Sequence, residues 1–217
     1  MASGMSTTLL LEYNRMHIEF LVEEPSTEAA LSILLLKLLD DETDYTIINF
    51  GGKSNMKKEL SGRLKGYRDW LPSDWRLVVL RDRDEENCHD LKKSLETSVV
   101  DAGFVTRTIS AGQAYQALTR IAIEELEAWF FGDIEAIVEA YPGVSPHLAS
   151  QAAYRDPDSI RGGTAEALER ELQRAGHHRT GLRKIEAARK IAEHMDPTRN
   201  RSRSFQVFRA GLLDLIN

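Results

Sequence analysis

The chain has a single cysteine, Cys88, and no long hydrophobic run. One thiol cannot form an internal disulfide, and with scattered histidines it makes no zinc cluster, so a reducing compartment is the simplest location. No apolar stretch approaches the roughly 20 residues that a membrane helix needs. Residues 1–16 lack the basic flank and apolar block of a signal peptide. We therefore expect a cytoplasmic protein that does not enter the membrane.

Positive charge is also in short supply, with 28 Lys and Arg residues against 34 Asp and Glu residues, for a net charge of -6. Non-specific phosphate binding needs concentrated Lys and Arg, so this balance excludes a surface coated in nucleic acid but leaves room for a local basic groove. Solvated helix or loop faces are the more common origin of short basic runs. Two such runs occur, one at Lys57, Lys58, Arg63, Lys65 and Arg68 and one at Arg199, Arg201, Arg203 and Arg209.

The chain does have enough length and apolar content for one sizeable core. Its 217 residues, 42% hydrophobic and 29% charged, exceed one average domain and fall short of two. We predict a loose N-terminal arm over residues 1–15, an α/β core over residues 16–113, and a helical C-terminal part over residues 114–217 that packs on the core.

Strands and helices alternate through the first half of the chain. Buried strands are predicted at residues 17–22, 45–50, 76–80 and 105–109, with helices at residues 27–39, 56–70 and 89–102 between them. This alternation implies right-handed crossovers and a Rossmann-like sheet of about four mainly parallel strands. From residue 115 the spacing of Leu118, Ala122 and Leu126 predicts a long helix instead. Three more helices are predicted at residues 164–176, 181–194 and 204–216.

Acidic residues follow the first and the third predicted strand. Glu23, Glu24 and Glu28 come after the first strand, and Asp82 and Asp84 come after the third. In an open parallel sheet, ligands collect beyond the carboxyl ends of the strands, so these carboxylates are expected at one edge. Asp82 and Asp84 point the same way if the strand geometry continues through them.

Carboxylates gathered at such an edge suit Mg²⁺, or Mn²⁺ in its place. Magnesium usually takes one or two protein carboxylates, several waters and substrate phosphate. Glu24 then adds a ligand or acts as a general acid or base. Helix capping, solvation and pairing with Arg81 and Arg83 are the competing explanation of the same residues. The residue pattern alone leaves both explanations open.

The acidic residues resemble those of the TOPRIM domain of topoisomerases, primases and OLD-type nucleases, in which a Glu follows the first strand and Asp-x-Asp follows the third. The chain also resembles, more narrowly, the bacterial Domain of Unknown Function 4276 family, through the stretches FLVEEPSTE at residues 20–28, VLRDRD at 79–84 and IEELEAW at 123–129. The TOPRIM pattern Glu-Gly-x-Ser/Thr-Glu places the key carboxylate at Glu24, with Pro25 where Gly is usual. Because Pro cannot take the positive φ of Gly, Glu23 is the alternative.

The resemblance implies metal-assisted, nuclease-like chemistry on phosphodiester or phosphoryl groups of nucleic acid. Glu24, Asp82 and Asp84 would be both the metal ligands and the catalytic residues. A second function is also implied, because TOPRIM-like domains can lose catalysis and remain as interaction partners. The chain would then be an interaction or regulatory subunit beside an ATPase in a DNA-processing or defence system. The choice of DNA or RNA, the mode of cleavage and the oligomeric state are left open.

Further residues are candidates for the same edge. Glu28 and Glu127 are accessory candidates, although Glu127 would pair with Arg120 if both lie on one helix surface. Lys53 is a candidate to reach a substrate phosphate, although a solvated lysine after a strand is the more common explanation. A nucleotide-binding loop is excluded because the first glycine of that motif is missing. Lys184, His177 and His178 are candidates to contact phosphate, but they define no metal site, and a hydrated basic loop is the simpler explanation.

Overall fold

A computed structural model of the chain describes residues 15–217. Four strands lie in that range: β1 (His17–Val22), β2 (Asp44–Asn49), β3 (Arg76–Asp82) and β4 (Ala117–Ala122). They form one sheet in the order β2-β1-β3-β4, and all neighbouring pairs are parallel. The predicted α/β class with a Rossmann-like parallel sheet is therefore confirmed. The predicted arm at residues 1–15 falls outside this range except for Arg15.

Helices connect and cover the strands. They are α1 (Pro25–Leu38), α2 (Lys53–Trp70), α3 (Cys88–Asp101), α4 (Glu127–Phe131), α5 (Ile134–Ala140), α6 (Thr164–Arg174), α7 (Lys184–His194) and α8 (Arg203–Ile216). Three short 3-10 turns lie between α5 and α6. Over residues 15–217, no helix combines the length and the apolar character needed to cross a membrane.

The first three strands follow directly from the local sequence. The run Leu77 to Leu80 in β3 is fully buried, as expected for a strand that has helices on both faces. After β1 the chain turns at once into α1, which begins at Pro25. A proline at the first helical position costs nothing, because the missing N–H has no partner inside the helix.

The fourth strand is not where the sequence pattern places it. Residues 105–109 form turns, with a single parallel bridge between Thr106 and Ala117, and the strand is β4 at 117–122. The predicted long helix from residue 115 is also wrong, because residues 117–122 form this strand. Leu118, Ala122 and Leu126 have helical spacing, but a short apolar run satisfies both periods. Leu118 and Ala122 face one side of the sheet while Ala117 and Ile121 face the other, as in a strand.

The sheet separates two hydrophobic clusters. Phe20, Val78 and Leu118 point into the larger cluster, which α1, α5, α7 and α8 complete. Leu21 and Val79 point into the smaller cluster with α2 and α3. Successive strand residues alternate between faces. The same alternation places neighbouring charged residues at the strand ends on opposite faces of the sheet.

The late segment that contains Arg199 to Ser204 fastens α8 to α4. Arg199 Nε donates to Asp133 Oδ1 at 2.7 Å, and Asn200 Nδ2 donates to the Trp129 carbonyl oxygen at 2.7 Å. The Trp129 indole N–H donates to Ser204 Oγ at 2.9 Å. All of these partners lie in the C-terminal half, so these residues of the segment serve the packing of the helices.

Candidate functional site

The carboxyl ends of the strands form the edge at which the acidic residues gather. Asp82 is the last residue of β3, Glu23 and Glu24 follow β1, and the segment after β4 contributes Glu124, Glu125 and Glu127. Ion pairs and electrostatic interactions connect these side chains in two groups, one on each side of the sheet.

Asp82 is buried at this edge, with 5% of its surface exposed. Within residues 15–217 its carboxylate receives no hydrogen bond and makes no ion pair. Burial raises its pKa well above the ordinary value, and the negative charges of Glu127, Glu23, Glu24 and Asp84 raise it further. A carboxylate in this situation is stabilised by a proton or by a cation.

Glu127 is the first residue of α4 and is 2% exposed. Burial raises the pKa of its carboxyl group to about 7, the nearby Lys184 ammonium opposes this rise, and the charge of Glu125 adds to it. The predicted surface ion pair with Arg120 is wrong, because Arg120 is on β4 and donates to the Val207 and Thr119 carbonyl oxygens. Glu127 is therefore a buried group that titrates near neutral pH.

Lys184, at the start of α7, lies among these carboxylates. Its Nζ is 3.5 Å from Glu125 Oε1 and 3.8 Å from Glu24 Oε2. Burial lowers the pKa of Lys184, but the negative charges of Glu127, Glu125 and Glu24 outweigh burial and raise it. The assignment of Lys184 to a hydrated basic loop is wrong. We call the group formed by Glu24, Asp82, Glu125, Glu127 and Lys184 the acidic cluster.

Glu125 links the acidic cluster to α6. Its Oε2 accepts hydrogen bonds from Thr164 Oγ1 at 3.2 Å and from the Ala165 backbone N–H at 3.0 Å. A carboxylate at this place satisfies free amides at the helix N-terminus and interacts favourably with the helix dipole. Glu125 was not predicted as a site residue, and its local signal in the sequence is its place in the run Glu124-Glu125-Leu126-Glu127.

Glu23 lies in the second group, on the side of α2 and α3. Its Oε2 accepts from Arg81 Nε at 2.9 Å, and both side chains are buried. Burial raises the pKa of Glu23 although Arg81 opposes that rise. Arg81 also pairs with Glu86 through Nη2, so this arginine joins two carboxylates. The predicted pairing of Arg81 and Arg83 with acidic residues is present, but neither arginine pairs with Asp82, since Arg83 pairs with Glu124.

Asp84 does not continue the strand. It has a positive φ of 50°, and its N–H donates to the carbonyl oxygen of Glu124, which has a φ of 63°. Residues held in this region cost of order 1–3 kcal/mol each and tend to occur at functional sites. The Asp84 carboxylate, 33% exposed, is paired with Lys53 Nζ at 2.8 Å. Asp82 and Asp84 therefore have different surroundings, one buried and unpaired, the other partly exposed and paired.

The structure brings four of the predicted residues into electrostatic range of Asp82, namely Glu23, Glu24, Asp84 and Glu127. Glu28 is not among them, and its carboxylate accepts a hydrogen bond from Asn49 at the end of β2. Over the described range 15–217, no three His, Cys, Asp or Glu side chains are arranged to hold a metal ion. The donor set fits Mg²⁺ only in its usual mode, with one or two carboxylates and the remaining ligands from water and substrate.

A family model described as "Domain of unknown function (DUF4276)" matches residues 22–213 of the chain. No curated protein and no solved structure matches it. The matched range includes β3, β4 and all of the acidic cluster.

Proposed function

Because the chain belongs to the DUF4276 family, whose description names no activity, we propose a function from the site itself. The protein is a TOPRIM-like hydrolase of phosphodiester bonds in nucleic acid that depends on Mg²⁺ or Mn²⁺. Asp82 is the principal metal ligand, Glu24 is the second, and Glu127 and Lys184 complete the reacting groups.

The observation that carries this proposal is the state of Asp82. A buried carboxylate normally has a cationic partner or a set of hydrogen-bond donors, because burying a bare charge is costly. Among the described residues, the Asp82 carboxylate accepts no hydrogen bond and has no cation within ion-pair distance. Lys184 acts on it only at longer range, and four other carboxylates raise its pKa. A divalent cation would remove both the burial cost and the mutual repulsion. Such a cation, when bound, supplies an acidified water and neutralises phosphate charge.

The other residues of the acidic cluster have complementary tasks. Glu127, with a pKa of about 7, is half protonated near neutral pH, which suits a group that accepts or donates a proton there. Lys184 contacts Glu24 and Glu125, and its ammonium is placed to bind a phosphate oxygen at the same edge. Lys53 holds Asp84 in an ion pair on the other side, so Asp84 contributes charge and position.

The backbone around Glu24 supports the TOPRIM-like part of the proposal. Glu24 has an extended conformation with φ -119° and ψ 154°, and Pro25 begins α1. The positive φ that Gly would allow is therefore unnecessary at this turn. Glu23 is committed to Arg81, while Glu24 reaches Lys184 and accepts a hydrogen bond from Ser26 Oγ at 3.2 Å. These contacts favour Glu24 over Glu23 as the functional carboxylate.

The test compares Asp82→Asn with a matched control, Asp41→Asn, which changes an exposed residue in the loop before β2. Hydrolysis of bis(p-nitrophenyl) phosphate and of DNA and RNA is measured with Mg²⁺ and with Mn²⁺, and metal binding by calorimetry. Loss of a principal metal ligand is expected to lower the rate by about 100-fold or more, roughly 3 kcal/mol, and to weaken metal binding. Equal rates for the two variants would contradict the assignment.

A second function, an interaction or regulatory subunit beside an ATPase, is favoured by one observation. The Lys184 ammonium already supplies a positive charge near Glu24 and Glu125, so the cluster is partly neutralised without a metal. A catalytically silent protein of this kind would show no binding of Mg²⁺ or Mn²⁺ by calorimetry and would co-purify with a stoichiometric ATPase subunit or nucleic-acid complex.

A further inference from the structure

Helix α2 is solvated over most of its circumference. Only Met56, Leu60, Leu64 and Tyr67 are buried, and they form one narrow stripe against the smaller hydrophobic cluster. Its 18 residues contain six basic side chains and two acidic ones, Glu59 and Asp69. In a protein with a net charge of -6, this is a local concentration of positive charge.

The basic residues lie mainly on one side of the helix. At 3.6 residues per turn, Lys57, Lys58, Lys65 and Arg68 occupy an arc that adjoins the buried stripe on the α3 side and extends onto the outward surface. All four side chains are exposed. We call this set the basic α2 face. Glu59 lies outside the arc, and Asp69 is at its far end.

The basic α2 face begins at the same edge of the sheet as the acidic cluster, on the α2 and α3 side. Lys53, the first residue of α2, is 2.8 Å from Asp84, and Lys57 Nζ is 3.4 Å from Glu86. Beyond them, Lys58, Lys65 and Arg68 make no ion pair within residues 15–217. The helix is about 27 Å long, which corresponds to about eight base pairs of duplex. Unpaired cations therefore continue outward from the edge where hydrolysis is proposed.

A membrane surface is a poor match for this helix. Helices that lie on membranes insert an apolar face beneath their basic residues, but the apolar stripe of α2 is already buried in the core. A phosphate backbone needs only exposed cations, and such contacts position nucleic acid without reading its sequence.

We infer that the basic α2 face holds the phosphate backbone of a polynucleotide that crosses the edge of the sheet to reach the acidic cluster, with Lys58 and Lys65 as its central contacts. This inference rests on the proposed function and specifies its substrate class as a polymer longer than one nucleotide. Its contacts do not involve the metal, so the surface binds nucleic acid without one.

The test measures binding of a labelled oligonucleotide, long enough to span α2, by fluorescence anisotropy in EDTA at several salt concentrations. The variant Lys58→Glu/Lys65→Glu is expected to bind about tenfold or more weakly. Its plot of log affinity against log salt should be shallower by about 1.4 on a single strand, since two phosphate contacts are lost. The control Lys93→Glu/Arg189→Glu has the same charge change at exposed positions of α3 and α7 and should stay within about twofold of wild type.

Hydrolysis of bis(p-nitrophenyl) phosphate separates this inference from the proposed function. If the site is active, Lys58→Glu/Lys65→Glu should hydrolyse this small diester at the wild-type rate, whereas Asp82→Asn should not. Binding that depends on Lys58 and Lys65 in a protein without hydrolytic activity would support the surface and contradict the enzyme. Equal weakening by the two double variants, no binding by wild type, or a preference for anionic vesicles over oligonucleotide would overturn the inference.

Discussion

Neighbouring residues at the end of β3 show how one strand separates two kinds of buried charge. Arg81 faces α2 and α3 and is paired with Glu23 and Glu86. Asp82 faces the opposite side, and no cation of the described residues lies within ion-pair distance of its carboxylate, although Lys184 acts on it at longer range. Breaking a buried ion pair by removing one partner typically costs 3–5 kcal/mol, so Arg81 has a structural task. Asp82 and Glu127 instead hold protons more tightly, because burial raises the pKa of both.

The first prediction concerns Glu127→Gln. Folding raises the pKa of Glu127 from 4.5 to about 7, so between these values the folded state keeps a proton that the unfolded chain has lost. This contribution to stability is fully present below pH 4.5 and is lost as the pH rises through about 7. The neutral Gln side chain has no such loss. Relative to wild type, the free energy of unfolding of the variant should therefore increase by about 3 kcal/mol across this interval.

Urea unfolding of both proteins at pH 4.5 and above pH 7 measures this difference, and Glu135→Gln, at an exposed position of α5, is the control. A difference between Glu127→Gln and wild type that does not change with pH would show that Glu127 titrates normally in the folded state.

At the scale of elements, the helix starts show two ways of satisfying free amides. Asn87 caps α3 from an exposed position, with Oδ1 accepting from the His89 and Asp90 N–H groups at 2.9 and 3.2 Å. Ser202 caps α8 from a fully buried position. Its Oγ accepts from the Phe205 N–H at 3.2 Å and donates to Asp158 Oδ1 at 2.8 Å. The second cap also ties α8 to the loop before α6.

The second prediction compares Asn87→Ala with Ser202→Ala. Loss of an exposed cap should lower the free energy of unfolding by about 1 kcal/mol. Ser202→Ala should cost about 2 kcal/mol or more, because it also removes a buried donor to Asp158. Urea unfolding measures both, with Ser150→Ala as a control at an exposed hydroxyl. A smaller loss for Ser202→Ala than for Asn87→Ala would show that the Asp158 contact contributes nothing.

At the scale of the whole molecule, the larger hydrophobic cluster crosses the boundary between the α/β core and the helical part. Leu31, Leu34 and Leu35 of α1 share it with Ala188 and Ile191 of α7. Lys37 Nζ also donates to the carbonyl oxygens of Ala192, Glu193 and Met195 at the end of α7. A shared core of this kind favours unfolding as one unit.

The third prediction uses Trp129, which lies in the helical part. In Trp70→Phe/Trp75→Phe, the fluorescence reports only Trp129, while far-ultraviolet circular dichroism reports all helices. The two urea unfolding curves should have the same midpoint, because the parts share one core. Trp75 stacks on His17 with ring centroids 3.9 Å apart, so its replacement can lower stability. Wild-type protein is therefore unfolded in parallel as the control. Separate midpoints would show that the sheet, which includes β4, and the helices after it unfold independently.

Local periodicity determined much of the fold. The sequence by itself predicted β1, β2, β3 and the helices that follow them, because alternation of period 2 and spacing of period 3.6 are encoded in neighbouring residues. Parallel topology then placed Glu24 and Asp82 at one edge. The prediction for residues 117–122 was wrong, because their apolar spacing fits a helix as well as a strand.

Only the tertiary structure decided which charges meet. Lys184 lies 160 positions after Glu24 in the chain, and its ammonium is 3.8 Å from the Glu24 carboxylate. The packing of α7 on α1 creates this contact, and no local pattern records it. Glu23 pairs with Arg81, whereas Asp82 forms no ion pair with any residue of the range 15–217. This difference likewise depends on which face of the sheet each side chain enters. Sequence periodicity thus located the edge, and long-range packing selected the groups that share it.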